Sequence, residues 1–152
     1  MKSQPLPITA ETFKTYGKLI EYPDKNSKGT LRNLWRVVHY APNKNGWRSA
    51  YLILRDRSIG RLECHPTSDE SFESIKGKAL FFVSHTKKLD QIECFILDRP
   101  IILFKGVWHG LITMESETEI KITEDLKISC RYWPLGFRIK NLTELNLRRA
   151  KS

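Results

Sequence analysis

The chain is 152 residues long, 40% hydrophobic and 28% charged, which suffices for one domain with a buried core and is too apolar for a disordered chain. Its 26 Lys and Arg against 17 Asp and Glu leave a net charge of +9, so its partner should be an anion. The basic residues are spread along the chain, with one local excess at Arg148, Arg149 and Lys151. That spread argues for a small carboxylate or phosphate over nucleic acid, whose binders concentrate charge on one element.

In chain order, the opening MKSQPLPITAE lacks an apolar run of signal-peptide length, and no later stretch approaches a membrane span. A cytoplasmic location and no membrane partner are expected. A short helix is expected from Ala10 to Tyr16: Thr9 suits the N-cap, Glu11 the positive end of the helix dipole, and Gly17 the stop. Phe13 and Tyr16 then share one face. The run from Tyr22 to Asn33 is polar and turn-rich and reads as a loop.

Strands are expected at Trp35–Tyr40, Ala50–Arg55, Ile59–Cys64, Ala79–Ser84, Ile92–Leu97, Ile101–Phe104, Val107–Met114, Glu119–Ile122 and Ile128–Trp133. Many are separated by turn signals such as Asn45-Gly46, Lys76-Gly77, Asp98-Arg99-Pro100 and Lys105-Gly106. Short strands at such spacing imply an all-β sandwich or barrel. The runs 79–83 and 101–104 are apolar on both faces, which a dimer interface, a second sheet or the N-terminal helix would cover. The leucines at 142, 145 and 147 suggest a short terminal helix fraying into a basic tail over about residues 141–152. With no repeat and no linker, residues 1–152 read as a single domain. Cys64, Cys94 and Cys130 form no C-x-x-C pair and read as reduced thiols.

The densest polar cluster is RLECHPTSDE, residues 61–70. Strand parity puts Arg61, Glu63 and His65 on one face. A carboxylate beside an imidazole is a solvated pair, a metal half-site or an acid/base pair. Glu63-x-His65, four residues, Glu70, six residues, Gly77 resembles the first cupin motif, H-x-H, three or four residues, E, six residues, G. Residues 104–109, FKGVWH, match the second motif, P-x-G-x-x-H, except that Phe104 replaces proline. The resemblance implies a cupin-like (RmlC-like) antiparallel β-barrel or jelly roll with a short N-terminal helix. It also implies a centre of Glu63, His65, Glu70 and His109, holding either a divalent Mn, Fe or Zn ion or no metal.

Three further blocks resemble the ureidoglycolate lyase (ureidoglycolate hydrolase) family: ITAETFKTYGKLIE at 8–21, Leu62-Glu63-Cys64-His65-Pro66 followed by Phe72 and Lys76-Gly77, and Gly106-Val107-Trp108-His109. They span roughly residues 6–112, about two thirds of the chain. The resemblance implies a homodimeric lyase of allantoin degradation, in purine metabolism, that releases urea and glyoxylate. His65, His109, Glu63 and Glu70 would supply acid/base catalysis. Arg61, then Lys105 and Arg48, together with Trp108, would bind the small carboxylate substrate. The chain departs from the family at Gly60 and at Leu103-Phe104, where histidines are usual. The alternative is a cupin that binds a small carboxylate or sugar without lyase activity.

Overall fold

In a computed structural model, residues 4–19 and 46–150 are described. The strand expected at Trp35–Tyr40 and the loop Tyr22–Asn33 lie outside them, as does Lys151. The elements in order are β1 (Leu6–Pro7), α1 (Ala10–Phe13), β2 (Gly17–Leu19), β3 (Trp47–Leu54), β4 (Ile59–Cys64), β5 (Glu70–Lys76), β6 (Ala79–Ser84), β7 (Glu93–Leu97), β8 (Ile101–Leu103), β9 (Trp108–Thr113), β10 (Thr118–Asp125), β11 (Arg131–Ile139) and α2 (Leu142–Arg149). A 3₁₀ turn at Leu89–Gln91 precedes β7. None of the described helices is long and apolar enough to cross a membrane.

The strands form two sheets, ordered β1-β7-β6-β9-β4-β11 and β2-β8-β5-β10-β3. Setting aside the terminal strands, the eight from β3 to β10 divide as β3-β10-β5-β8 and β7-β6-β9-β4. Every pairing within these two sets is antiparallel. Consecutive strands that cross between sheets in this order make a double-sheet jelly roll, the cupin-like barrel expected from the motifs. Among the described residues only β1 adds a parallel pairing, to β7.

Two apolar layers account for β6, the strand at 79–84 that is apolar on both faces. Between the sheets, Phe81 and Val83 of β6 pack with Phe13, Phe72, Phe95 and Ile101. On the other face of β6, Leu80 and Phe82 are covered by Leu142 and Leu145 of α2, together with Ile112 and Ile139. The opposing sheet and the C-terminal helix of the same chain thus bury a strand in which all six residues are inaccessible. Asn141 caps α2 by accepting from the Glu144 amide at 2.9 Å, and Leu147 stays 60% exposed.

The N-terminal helix is shorter than expected. Its Thr9 cap and the reciprocal Thr12 contact are present, but regular helix ends at Phe13, whose ring meets Phe95 edge-on at 5.2 Å. The reason lies at Gly17, which pairs with Leu103 in β2–β8. A Cβ there would stand 1.7 Å from the Ile102 carbonyl oxygen, so this glycine permits close strand contact rather than capping a helix.

Candidate functional site

Five polar side chains from four strands and one turn converge inside the barrel. Glu63 on β4 is the ladder partner of His109 on β9, and these two strands record that one pair. His65 follows the end of β4, Glu70 opens β5, and Glu124 lies near the end of β10. The turns carrying the two motifs are bonded to each other. The Gly106 amide donates to the His65 carbonyl at 2.8 Å, and the Lys105 amide donates to Asp69 Oδ1 at 2.9 Å. Gly106 adopts φ 82°, which favours glycine at that turn.

Glu70 Oε2 stands 3.2 Å from His65 Nε2 and 3.3 Å from His109 Nε2, and His109 Nε2 is 3.6 Å from Glu63 Oε1. Both imidazoles are oriented from behind: His65 Nδ1 lies 3.2 Å from the Ser129 carbonyl and His109 Nδ1 3.1 Å from the Val107 carbonyl. A carbonyl only accepts, so each Nδ1 carries a proton and each Nε2 faces the carboxylates. An Nε2 lone pair and a carboxylate repel unless a positive species lies between them. For His65 that species is a proton. Burial opposes its charged form, but the Glu70 hydrogen bond and charge prevail and raise its pKa from 6.5 to about 9. His109 Nε2, in a residue 1% exposed, has no hydrogen-bond partner among the described residues.

The His109 imidazole, 3.6 Å away, holds Glu63 below the usual carboxylate range against the opposing effect of burial. Glu63 is also the open member of the set, with its side chain 43% exposed. Glu124 is raised, first by burial and further by neighbouring Glu70, while Arg48 opposes the rise. The ligand atoms of Glu63, His65 and His109 lie within 4.8 Å of one another, as do those of His65, Glu70 and Glu124. Either triad could hold a cation.

The expected binding residues are distributed unevenly around this centre. Arg61 shares the inner face of β4 as parity required, and its guanidinium stacks 4.4 Å over the Tyr132 ring. Arg48 reaches the centre indirectly, with its Nε 2.7 Å from Glu124 Oε1. Lys105 sits in an exposed turn. Trp108 faces away from His109 into the outer layer, against Trp133 and beneath Lys87. Glu124 and Arg138 were missed by sequence reasoning. Glu124 lies in the polar end of β10, and Arg138 lies beyond Pro134 and a register shift in β11.

A cavity of about 610 Å³ opens beside Glu63 and His109, with Arg61, Arg138, Leu54 and Leu111 in its walls. A second, of about 450 Å³, lies near Leu6, Cys94 and Leu142 and is lined by none of the five polar residues.

No protein-family model matches the chain, and no curated protein matches it. Among solved structures the chain is similar to a mutant of Bacillus subtilis oxalate decarboxylase, at 16% identity and TM-score 0.46 over 60% of this chain and 24% of that one. It is also similar to QdtA, a sugar 3,4-ketoisomerase from Thermoanaerobacterium thermosaccharolyticum, at 13% identity and TM-score 0.43 over 68% and 73% of the two chains. A 3,4-ketoisomerase from Helicobacter canadensis matches at 14% identity and TM-score 0.43 over 69% and 75%. The chain therefore spans about a quarter of the decarboxylase's length.

Proposed function

We propose that the barrel binds a small hydroxy- or oxo-carboxylate at the Glu63/His65/Glu70/His109 centre and cleaves it by acid/base catalysis, with ureidoglycolate as the substrate to test first. The observation that carries this reading is the convergence of two oriented imidazoles on one buried carboxylate, with His109 Nε2 unpartnered at the wall of a cavity. The choice of ureidoglycolate rests on the sequence blocks around Glu63, His65 and His109.

The donor set also fits a divalent cation. Glu63, His65 and His109, with Glu70 behind them, mix imidazole and carboxylate as Mn²⁺, Fe²⁺ and Zn²⁺ sites do, and both histidines have the carbonyl-bound Nδ1 typical of metal ligands. When bound, such an ion would polarise a substrate oxygen.

The chain's own groups divide the proton work. Ureidoglycolate is a hemiaminal-like adduct: its hydroxyl must lose a proton while the carbon–nitrogen bond breaks and the departing urea nitrogen gains one. Glu63, kept ionised and open to the cavity, accepts the hydroxyl proton. His109, when its Nε2 carries a proton in addition to Nδ1, delivers that proton to the urea nitrogen from the same wall. Glu70 positions that ring, and protonated His65 on its other side compensates the Glu70 charge. Arg61 holds the substrate carboxylate. Glutamate would serve as the acid only if its pKa were raised; Glu63 is lowered instead, which leaves it ionised and fit to accept a proton.

Glyoxylate release from racemic ureidoglycolate, measured as isolated and after chelation, tests the proposal. Turnover above the spontaneous rate that His109→Ala abolishes is the expected result. A second reading, a carboxylate or sugar binder without lyase activity, is favoured by Gly60 and Leu103-Phe104 at positions where the resembling family has histidines. Absence of turnover in a folded protein that still binds glycolate would select it.

A further inference from the structure

The cavity is larger than an adduct of glyoxylate and urea requires. At about 610 Å³ it falls in the range that accommodates drug-sized ligands. Glu63 and His109 occupy one part of its wall, Leu52, Leu54 and Leu111 make an apolar stretch, and Arg138 of β11 lines it beside Ser58 and Gly60.

Arg138 is built into place. Its Nε donates to Ser58 Oγ at 2.7 Å and its Nη2 to the Ser58 carbonyl at 2.7 Å. Nη1 lies over Gly60, 3.7 Å from where a Cβ would stand. The tether uses two of five N–H donors, and Nη1 has no hydrogen-bond partner among the described residues. Arg48 and Arg55 are each matched by a glutamate, at 2.7 and 3.0 Å, whereas Arg138 makes no ion pair with a described residue. Asp56 also lines the cavity without pairing to it. An exposed, planar guanidinium held at a cavity wall by two hydrogen bonds to Ser58, with no ion pair among the described residues, is suited to an oxyanion that can take two parallel hydrogen bonds.

We propose that Arg138 anchors a second anionic group, so that the ligand carries two: a carboxylate held by Arg61 beside Glu63 and His109, joined through a short apolar spacer to a second carboxylate or a phosphate. This rests on the reading of the centre as a hydroxy-carboxylate site given under Proposed function and not on the choice of ureidoglycolate, which carries one carboxylate. It adds the chemistry of the ligand's far end, which the centre alone leaves open.

Calorimetric titration with 2-hydroxyvalerate, 2-hydroxyglutarate and 3-phosphoglycerate at fixed ionic strength tests the idea. The first two differ only in a terminal methyl or carboxylate. The wild-type chain should prefer a dianion over 2-hydroxyvalerate by roughly 10- to 100-fold, the range expected for a charged hydrogen bond. Which dianion leads identifies the group. Arg138→Met should collapse the ratio toward one, and Ser58→Ala should lower it with the charge still present. A wild-type ratio near one, a ratio that survives Arg138→Met, or no binding of any ligand overturns the proposal. His109→Gln should weaken all three ligands together; if it changes none, the reading of the centre fails independently of the Arg138 ratio.

Discussion

Replacing Glu70 by glutamine keeps the shape of the side chain and removes the charge that His65 and His109 share. In the wild-type chain the Glu70 carboxylate, overcoming burial, holds the His65 pKa at about 9 against an ordinary 6.5, a difference corresponding to about 3 kcal/mol. Both side chains are 5% exposed, so solvent screening removes little of it. A histidine whose pKa is raised on folding contributes stability that is complete below about pH 6.5 and lost as the pH rises through about 9. Urea unfolding in chelator at about pH 6 and about pH 9.5 should therefore show the wild-type chain losing about 3 kcal/mol that Glu70→Gln does not lose. Comparing the two proteins cancels groups that titrate in both. Equal losses would refute the pairing of His65 with Glu70 as the source of the pH dependence.

Leu145→Ala should destabilise the fold by about 2–5 kcal/mol, the range for large-to-small changes in a core, because Leu145 is 0% exposed over the outer face of β6. The urea midpoint should not depend on protein concentration if α2 of the same chain is the cover, and a concentration-dependent midpoint would contradict that. Among the thiols, exposed Cys130 should be alkylated in the native protein while buried Cys64 and Cys94 react only on unfolding. Burial pushes the Cys94 pKa up to about 12, which keeps its reactive thiolate scarce. Equal labelling of Cys94 and Cys130, read by mass spectrometry, would contradict the packing of β7.

What could be read from the sequence divides along physical lines. Ala79–Ser84 was legible to the residue because aromatic and β-branched side chains announce a strand, and Ile59–Cys64 because Arg61 and Glu63 alternate with Leu62 and Cys64. β5 was not recognised as a strand. It opens on Glu70, whose inward carboxylate serves the site rather than the core, and Ile75 falls at a register shift that leaves it 52% exposed. β10 was read as ending at Ile122 for the same reason, and Glu124 was lost with its last residues. Strand parity did place Arg61, Glu63 and His65 on one face. Parity on β9 also separates Trp108 from His109, which puts the tryptophan in the outer layer. Arg138 could not be foreseen, because β11 passes Pro134 and Gly136 with a shift in register before reaching it.

The most direct test of the central claim, that Glu63, His65, Glu70 and His109 act as one centre, is Mn²⁺ binding to the chelator-treated protein, followed by electron paramagnetic resonance. The account predicts one tightly bound ion per chain in the wild type, lost in His109→Gln and in Glu63→Gln while both variants remain folded. No bound ion in the wild type, or binding unchanged in both variants, would contradict it.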